Sequence, residues 1–188
     1  MIERSESGPV QLRLDLTGVE PPIWRRVVVP EDFTLGDLHA AIQIALGWQD
    51  MHLHEFVSER GRWGPPDEEA PGEQGDEDGV TIADVLPAEG DALRYEYDFG
   101  DGWQHEITRE PLSEEPEELP VCTGGERAGP PEDSGGPDGY EQLLAALADP
   151  EHPDHQEMVD SLAAEGEEFD PERVDLDLVN KELRDIFD

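Results

Sequence analysis

Tyr95-Glu96-Tyr97-Asp98-Phe99-Gly100-Asp101-Gly102-Trp103-Gln104-His105 is the stretch from which the fold can be read. Tyr95 and Tyr97 alternate with a charged residue, the period of a strand with one face on a core. Gly100 and Gly102 then bracket Asp101, and this is turn chemistry: glycine reaches positive φ at little cost, and aspartate bonds its own backbone. Two strands, Leu93 to Asp98 and His105 to Arg109, are therefore expected to be joined through this connection as an antiparallel hairpin. Phe99 and Trp103 read as anchors that hold the turn.

Working outward, Val10, Leu12, Leu14 and Leu16 alternate with polar residues and predict another half-buried strand. Gly18 to Pro22 turns the chain, and the β-branched run Ile23 to Val29 predicts its antiparallel partner, closed by Pro30. Thr34 is placed to cap a helix carrying Leu35, Leu38, Ala41, Ile42, Ala45 and Leu46, stopped by Gly47. Met51 to Ser58 reads as a third strand. Gly64 to Gly79, acidic and rich in Gly and Pro, reads as a mobile loop, and Thr81 to Leu86 as a short helical turn. Glu110 to Gly139 is expected to be an ordered but irregular excursion. Residues 138–188 read as helical, with apolar stripes through Tyr140, Leu143, Leu144 and Leu147, then Met158, Val159 and Leu162, and a last helix capped by Asp175. The pattern is α+β: a single domain over residues 1–188, with an antiparallel or mixed sheet of about five strands and helices packed mainly on one face.

The charge restricts the partners. Among 188 residues, 49 are acidic and 12 basic, a formal net charge of -37. Such a chain repels polyanions, which argues against nucleic acid as a partner. Lys181 is the sole lysine, and the acid is spread along the whole length. Either the surface is adapted to a high-salt cytoplasm, where screening removes self-repulsion, or it meets a basic partner. Cys122 is alone, so no intramolecular disulfide forms, and Met1 to Val10 lacks the pattern of a secretory leader. No apolar run reaches the roughly 20 residues of a spanning helix. A cytoplasmic protein without a membrane partner is the expectation.

Several side chains carry possible chemistry. On a strand running through Met51 to Ser58, His52 and His54 share one face about 7 Å apart at the Cα atoms, close enough to ligate one divalent metal. His105, Asp98 and Asp101 are candidate further ligands. The plainer reading gives these histidines hydrogen bonds at a strand edge and gives the aspartates turn geometry. Cys122 with His105 as base would make a nucleophile pair, but the sequence around the thiol offers few cations to favour a thiolate. Trp63, Trp103, Cys122, Glu132, Asp133 and Tyr140 are candidates to line a groove under the Cys122 to Gly136 loop.

Pro21-Pro22-Ile23-Trp24-Arg25-Arg26, His52-Leu53-His54-Glu55-Phe56, Tyr97 to His105 and Pro130-Pro131-Glu132-Asp133-Ser134-Gly135-Gly136, in that order, resemble the plasmid pRi open-reading-frame-three-like family. Its members are also labelled TnpR-like or insertion-element passenger proteins. The resemblance runs from Val10 to Phe187. It implies a compact α+β domain found near mobile elements, and it supplies no reaction, cofactor or catalytic residue. Recombination itself is disfavoured, because strand exchange needs a nucleophile among several arginines and a basic DNA-docking helix. Arg25-Arg26 and Arg60 with Arg62 are the only basic clusters. The functional expectation is a non-catalytic binding or interaction module, its partner a protein or small ligand. The alternative is a metal-dependent, hydrolase-like enzyme using histidines and carboxylates.

Overall fold

A computed structural model of the chain describes residues 7–66, 74–164 and 169–187. Its centre is one mixed sheet of eight strands: β1 (Pro9–Leu16), β2 (Trp24–Pro30), β3 (His54–Ser58), β4 (Gly61–Gly64), β5 (Gly75–Asp76), β6 (Ala92–Tyr97), β7 (Trp103–Glu110) and β8 (Val121–Glu126). The strands lie in the order β5-β4-β3-β6-β7-β1-β2-β8. Every neighbouring pair is antiparallel except β4 with β5. The helices are α1 (Leu35–Leu46), a short α2 (Ile82–Val85), α3 (Gly136–Ala148), α4 (His155–Ala164) and α5 (Leu176–Phe187).

The hairpin expected from the Tyr95 to His105 stretch forms, with Tyr97 opposite Trp103 and Tyr95 opposite His105. Alternation sets which face is buried: Val10, Leu12, Leu14 and Leu16 of β1 are buried, while Gln11, Arg13 and Asp15 are partly exposed. Val27, Leu93, Tyr95, Tyr97, Trp103, His105 and Ile107 continue the buried layer across the neighbouring strands, and Leu35, Leu38, Ala41, Ile42 and Ala45 of α1 belong to the same core. α1 begins as expected. The Thr34 hydroxyl accepts from Asp37 N, and Asp37 returns the bond to Thr34 N, a capping box. It ends at Gly47, whose left-handed backbone (φ 74) the missing Cβ makes cheap. Asp175 caps α5 by accepting from Leu178 N.

The sheet is wider than the five or so strands expected, and each addition has a physical reason. β8 crosses the predicted irregular excursion and pairs with β2, the register shifting between Arg26 and Val27. β4 and β5 are short and rich in glycine, so neither shows a period of its own. Gly75 fits against the face of Trp63, where an added Cβ would stand 2.6 Å from the ring. Part of the predicted mobile loop is thus strand β5 followed by a 3-10 turn at Glu77–Gly79. Its middle, residues 67–73, lies outside the described residues, as do residues 1–6 of the amino-terminal segment and 165–168 of the helical carboxyl-terminal part.

Candidate functional site

Three segments far apart in sequence meet at one edge of the molecule: the loop 47–52 after α1, the turn 98–102 between β6 and β7, and the loop 128–136 before α3. Tyr97 is the hinge of the arrangement. Its ring stacks on Trp48 with centroids 4.8 Å apart. Its hydroxyl accepts from Met51 N at 3.0 Å and donates to Glu132 Oε1 at 2.9 Å. Gln49 N donates to that same Oε1 at 2.9 Å, and Trp48 Nε1 donates to Pro130 O at 2.8 Å. Burial first, then the bond to Glu132, pushes the Tyr97 hydroxyl well above the ordinary tyrosine range, so it stays a donor.

The turn is fastened to the same loop. Asp98 takes a left-handed backbone (φ 57), and its Oδ1 accepts from Gly100 N and Asp101 N at 3.0 and 3.3 Å. Asp101 Oδ2 in turn accepts from Gly135 N at 2.9 Å. Gly136 (φ 71) lies so close beneath the turn that a Cβ would stand 2.3 Å from Asp101 O. The two glycines of the Ser134-Gly135-Gly136 run are therefore required by close approach and by positive φ together.

His52 sits where these segments converge. Its Nε2 lies 2.9 Å from Asp133 Oδ1, 3.6 Å from Asp98 Oδ2 and 3.9 Å from Glu132 Oε2. The Asp98 and Glu132 side chains are 9% and 10% exposed, and neither His52 Nε2 nor Glu132 Oε2 has a hydrogen-bond partner. His52 is not on a strand: Asp50 adopts φ 52, β3 starts only at His54, and the shared strand face expected for His52 and His54 does not form.

His54 belongs to a different cluster. Its ring stacks on His39 of α1 with centroids 3.5 Å apart and planes 5° from parallel. His54 Nε2 bonds Glu77 Oε2 at 2.7 Å, while His39 bonds Tyr95 Oη at 2.8 Å and Asp50 Oδ1 at 2.9 Å. Burial, then the facing His54 ring, lowers the His39 pKa. His105 occupies a third environment, fully buried edge-on to Trp48 and near Tyr95, and neither of its ring nitrogens has a hydrogen-bond partner. Burial holds its pKa down at about 3, which keeps it neutral. Among the described residues, two groups have three metal-ligating atoms within mutual reach: His52 with Asp98 and Asp133, and His39 with Asp50 and His54. Neither holds two of the three histidines His52, His54 and His105.

The remaining candidates divide the same way. Glu132 and Asp133 stand at His52, and Asp101 ties the turn to the loop. Trp103 and Tyr140 are buried edge to face with centroids 6.4 Å apart, below the loop rather than at its surface. Trp63 packs under Gly75 on β4. Cys122 is buried, its backbone paired with the Asn180 amide, and burial raises its thiol pKa, the opposite of what a nucleophile needs. Next to the His52 cluster, where Met51, Glu132 and Asp133 form part of the wall, a cleft of about 1020 Å3 opens between the end of α1, the 128–133 loop and the segment 169–182; Trp48, Met51, Leu178 and Val179 are among its apolar lining. Arg25 lies at its floor, buried, donating to the carbonyls of Ala45, Trp24 and Glu126 and so capping α1. Sequence reasoning missed His39, Asp50, Trp48 and Gln49. His39 alone left a signal, being one turn beyond Leu35 on the buried helix face.

The family model described as plasmid pRiA4b ORF-3-like protein matches residues 9–178. The uncharacterized protein y4hQ of Sinorhizobium fredii (strain NBRC 101917 / NGR234) is 36% identical over 179 residues, covering 94% of this chain and 91% of its own. The crystal structure of MM3350 from Methanosarcina mazei Go1, a protein of unknown function, superposes with a TM-score of 0.78 at 38% identity, covering 90% of this chain and 96% of that one. No helix among the described residues is long and apolar enough to cross a membrane.

Proposed function

We propose that this chain, which belongs to the plasmid pRiA4b ORF-3-like protein family, is a non-catalytic binding module whose ligand sits in the cleft beside His52. One observation carries the reading: the cleft is concave, about 1020 Å3, and its walls come from segments locked together before any ligand arrives. Glu132 bridges Tyr97 and Gln49, and Trp48 holds Pro130. A preorganised concavity of this size suits a small organic molecule better than the flatter face of a protein partner. Trp48 and Val179 offer apolar surface within it. Asp133, Asp170, Asp175 and Glu182 make the lining acidic, and Arg173 is already paired with Asp175. The ligand is therefore amphipathic and carries no net negative charge.

A catalytic reading has less support. The thiol of Cys122 is buried with a raised pKa, and His105 is buried and neutral. The setting we propose, a mobile-element passenger in a high-salt cytoplasm, follows from the resemblance and the charge, not from the cleft. Native mass spectrometry of protein isolated from its own cells tests the reading. The expected result is a small-molecule adduct that is lost in Met51→Trp and Leu178→Trp, which fill the mouth at positions 57% and 48% exposed. A bare polypeptide mass for the parent protein, or an adduct kept by both variants, would contradict it.

A further inference from the structure

We infer that His52, Asp98, Asp133 and Glu132 form a binding site for one divalent transition-metal cation at the rim of the cleft. The inference deepens the binding-module reading and rests on the same convergence of segments. Its basis is how each carboxylate is divided between its two oxygens. Asp98 Oδ1 is spent on the turn, accepting from Gly100 N and Asp101 N. Glu132 Oε1 is spent on Tyr97 and Gln49. The second oxygen of each, Asp98 Oδ2 and Glu132 Oε2, is turned toward His52 Nε2, at 3.6 and 3.9 Å, and Asp133 Oδ1 joins them at 2.9 Å.

The 2.9 and 3.6 Å separations of Asp133 and Asp98 from His52 match ligand atoms around a shared ion, since metal–ligand distances near 2.0–2.2 Å place neighbouring ligands about 3 to 3.5 Å apart. Glu132 supplies an independent sign. Its side chain is nine-tenths buried, and its Oε2, 3.9 Å from His52 Nε2 at the edge of the His52, Asp98 and Asp133 group, has no hydrogen-bond partner. A buried carboxylate oxygen left without a donor is costly, and a cation at the centre would satisfy it together with His52 Nε2. Three carboxylates against one imidazole also leave an excess of negative charge that a dication offsets.

The donor set selects the metal class. One imidazole nitrogen with carboxylate oxygens suits Mn2+, Fe2+ or Zn2+; Ca2+ and Mg2+ take oxygen-only shells. The ligands are also held in place beforehand. Asp98 is fixed by its own turn, and Glu132 by two donors, so little ordering accompanies capture of the ion.

Titration calorimetry with Mn2+ and with Zn2+, in about 1 M KCl to suppress loose condensation on the acidic surface, tests the site. The expected result is one saturable cation per chain, bound about 100-fold more weakly by the double variant His52→Gln/Asp133→Asn. Both of these side chains are partly exposed, so folding is not at stake, and circular dichroism verifies it. Glu77→Gln, which disturbs the separate His39 and His54 cluster through the His54 bond, leaves the affinity unchanged. No saturable binding, equal affinity in the double variant, or loss in Glu77→Gln alone would each overturn the inference. The adduct measured by native mass spectrometry keeps the two readings apart. An adduct without a metal sinks only the cation, and a metal without an adduct sinks only the organic ligand.

Discussion

Replacing Tyr97 by phenylalanine probes the junction at its centre. The substitution keeps the ring that stacks on Trp48 at 4.8 Å and deletes only the hydroxyl. Two hydrogen bonds go with it, one from Met51 N and one to Glu132 Oε1. A neutral hydrogen bond contributes about 0.5–1.5 kcal/mol and one to a charged group about 1.5–3 kcal/mol. Glu132 Oε1 keeps its bond from Gln49 N, so the lower half of the sum applies, and the expected loss is about 2 kcal/mol. For a domain of this length that is a fall in Tm of roughly 4–8 °C. The more discriminating quantity is the coupling with Glu132→Ala in a double-mutant cycle, measured by urea unfolding in high salt. We expect about 1.5 kcal/mol, the contribution of the shared bond. The raised Tyr97 pKa leaves the hydroxyl a donor at ordinary pH, so the coupling should be the same at pH 7 and pH 9. A coupling below about 0.5 kcal/mol, within the additivity of independent sites, would refute the idea that this bond locks the loop to the sheet.

His105 should make the protein acid-sensitive. Its pKa is about 3 in the fold and 6.5 by its ordinary value, so between those limits the unfolded chain binds the extra proton and stability falls as pH drops. Compared with His105→Leu, the parent should lose up to about 1.4 kcal/mol per pH unit from pH 6.5 down to about 3; parallel stability profiles would refute this. Gly136→Ala should cost about 2 kcal/mol or more in urea unfolding, because positive φ and a Cβ 2.3 Å from Asp101 O are both unfavourable, whereas Gly8→Ala, with open space around it, should be neutral. If the surface acid is an adaptation to salt, raising KCl from about 0.1 to 1 M, which shortens the screening length from about 10 to 3 Å, should raise Tm, and a flat response would favour a basic partner instead.

What the sequence disclosed is what has its own period or its own cap. The β6–β7 hairpin, β1 and β2, and α1 between Thr34 and Gly47 are specified locally, by alternation, turn glycines and a capping box. β4, β5 and β8 are specified by their partners: Gly61-Arg62-Trp63-Gly64 is strand only because it pairs with β3. The same division holds at the site. The His52 segment, the Asp98 turn and the Glu132-Asp133 loop each stood out in the sequence by their residue types; that they meet is a product of the fold. That His52, His54 and His105 go to three environments was not legible. It depends on the left-handed turn at Asp50, which ends any strand before His54, and on the buried sides of β3 and β7, where His54 meets His39 and His105 meets Trp48 and Tyr95. His39 lay on the apolar face of α1 in the sequence, and its partners His54, Tyr95 and Asp50 follow only from the packing of α1 on the sheet.

The loops 47–52 and 128–136 and the turn 98–102 meet in a single rim, and the proposed cation is bound there or not at all. Anomalous diffraction from crystals grown with Mn2+ measures this most directly. The expected map has one strong peak about 2.0–2.3 Å from His52 Nε2, Asp98 Oδ2 and Asp133 Oδ1, with Glu132 Oε2 turned toward it. Bound manganese only at scattered surface carboxylates, with His52 pointing away from Asp98 and Asp133, would contradict it.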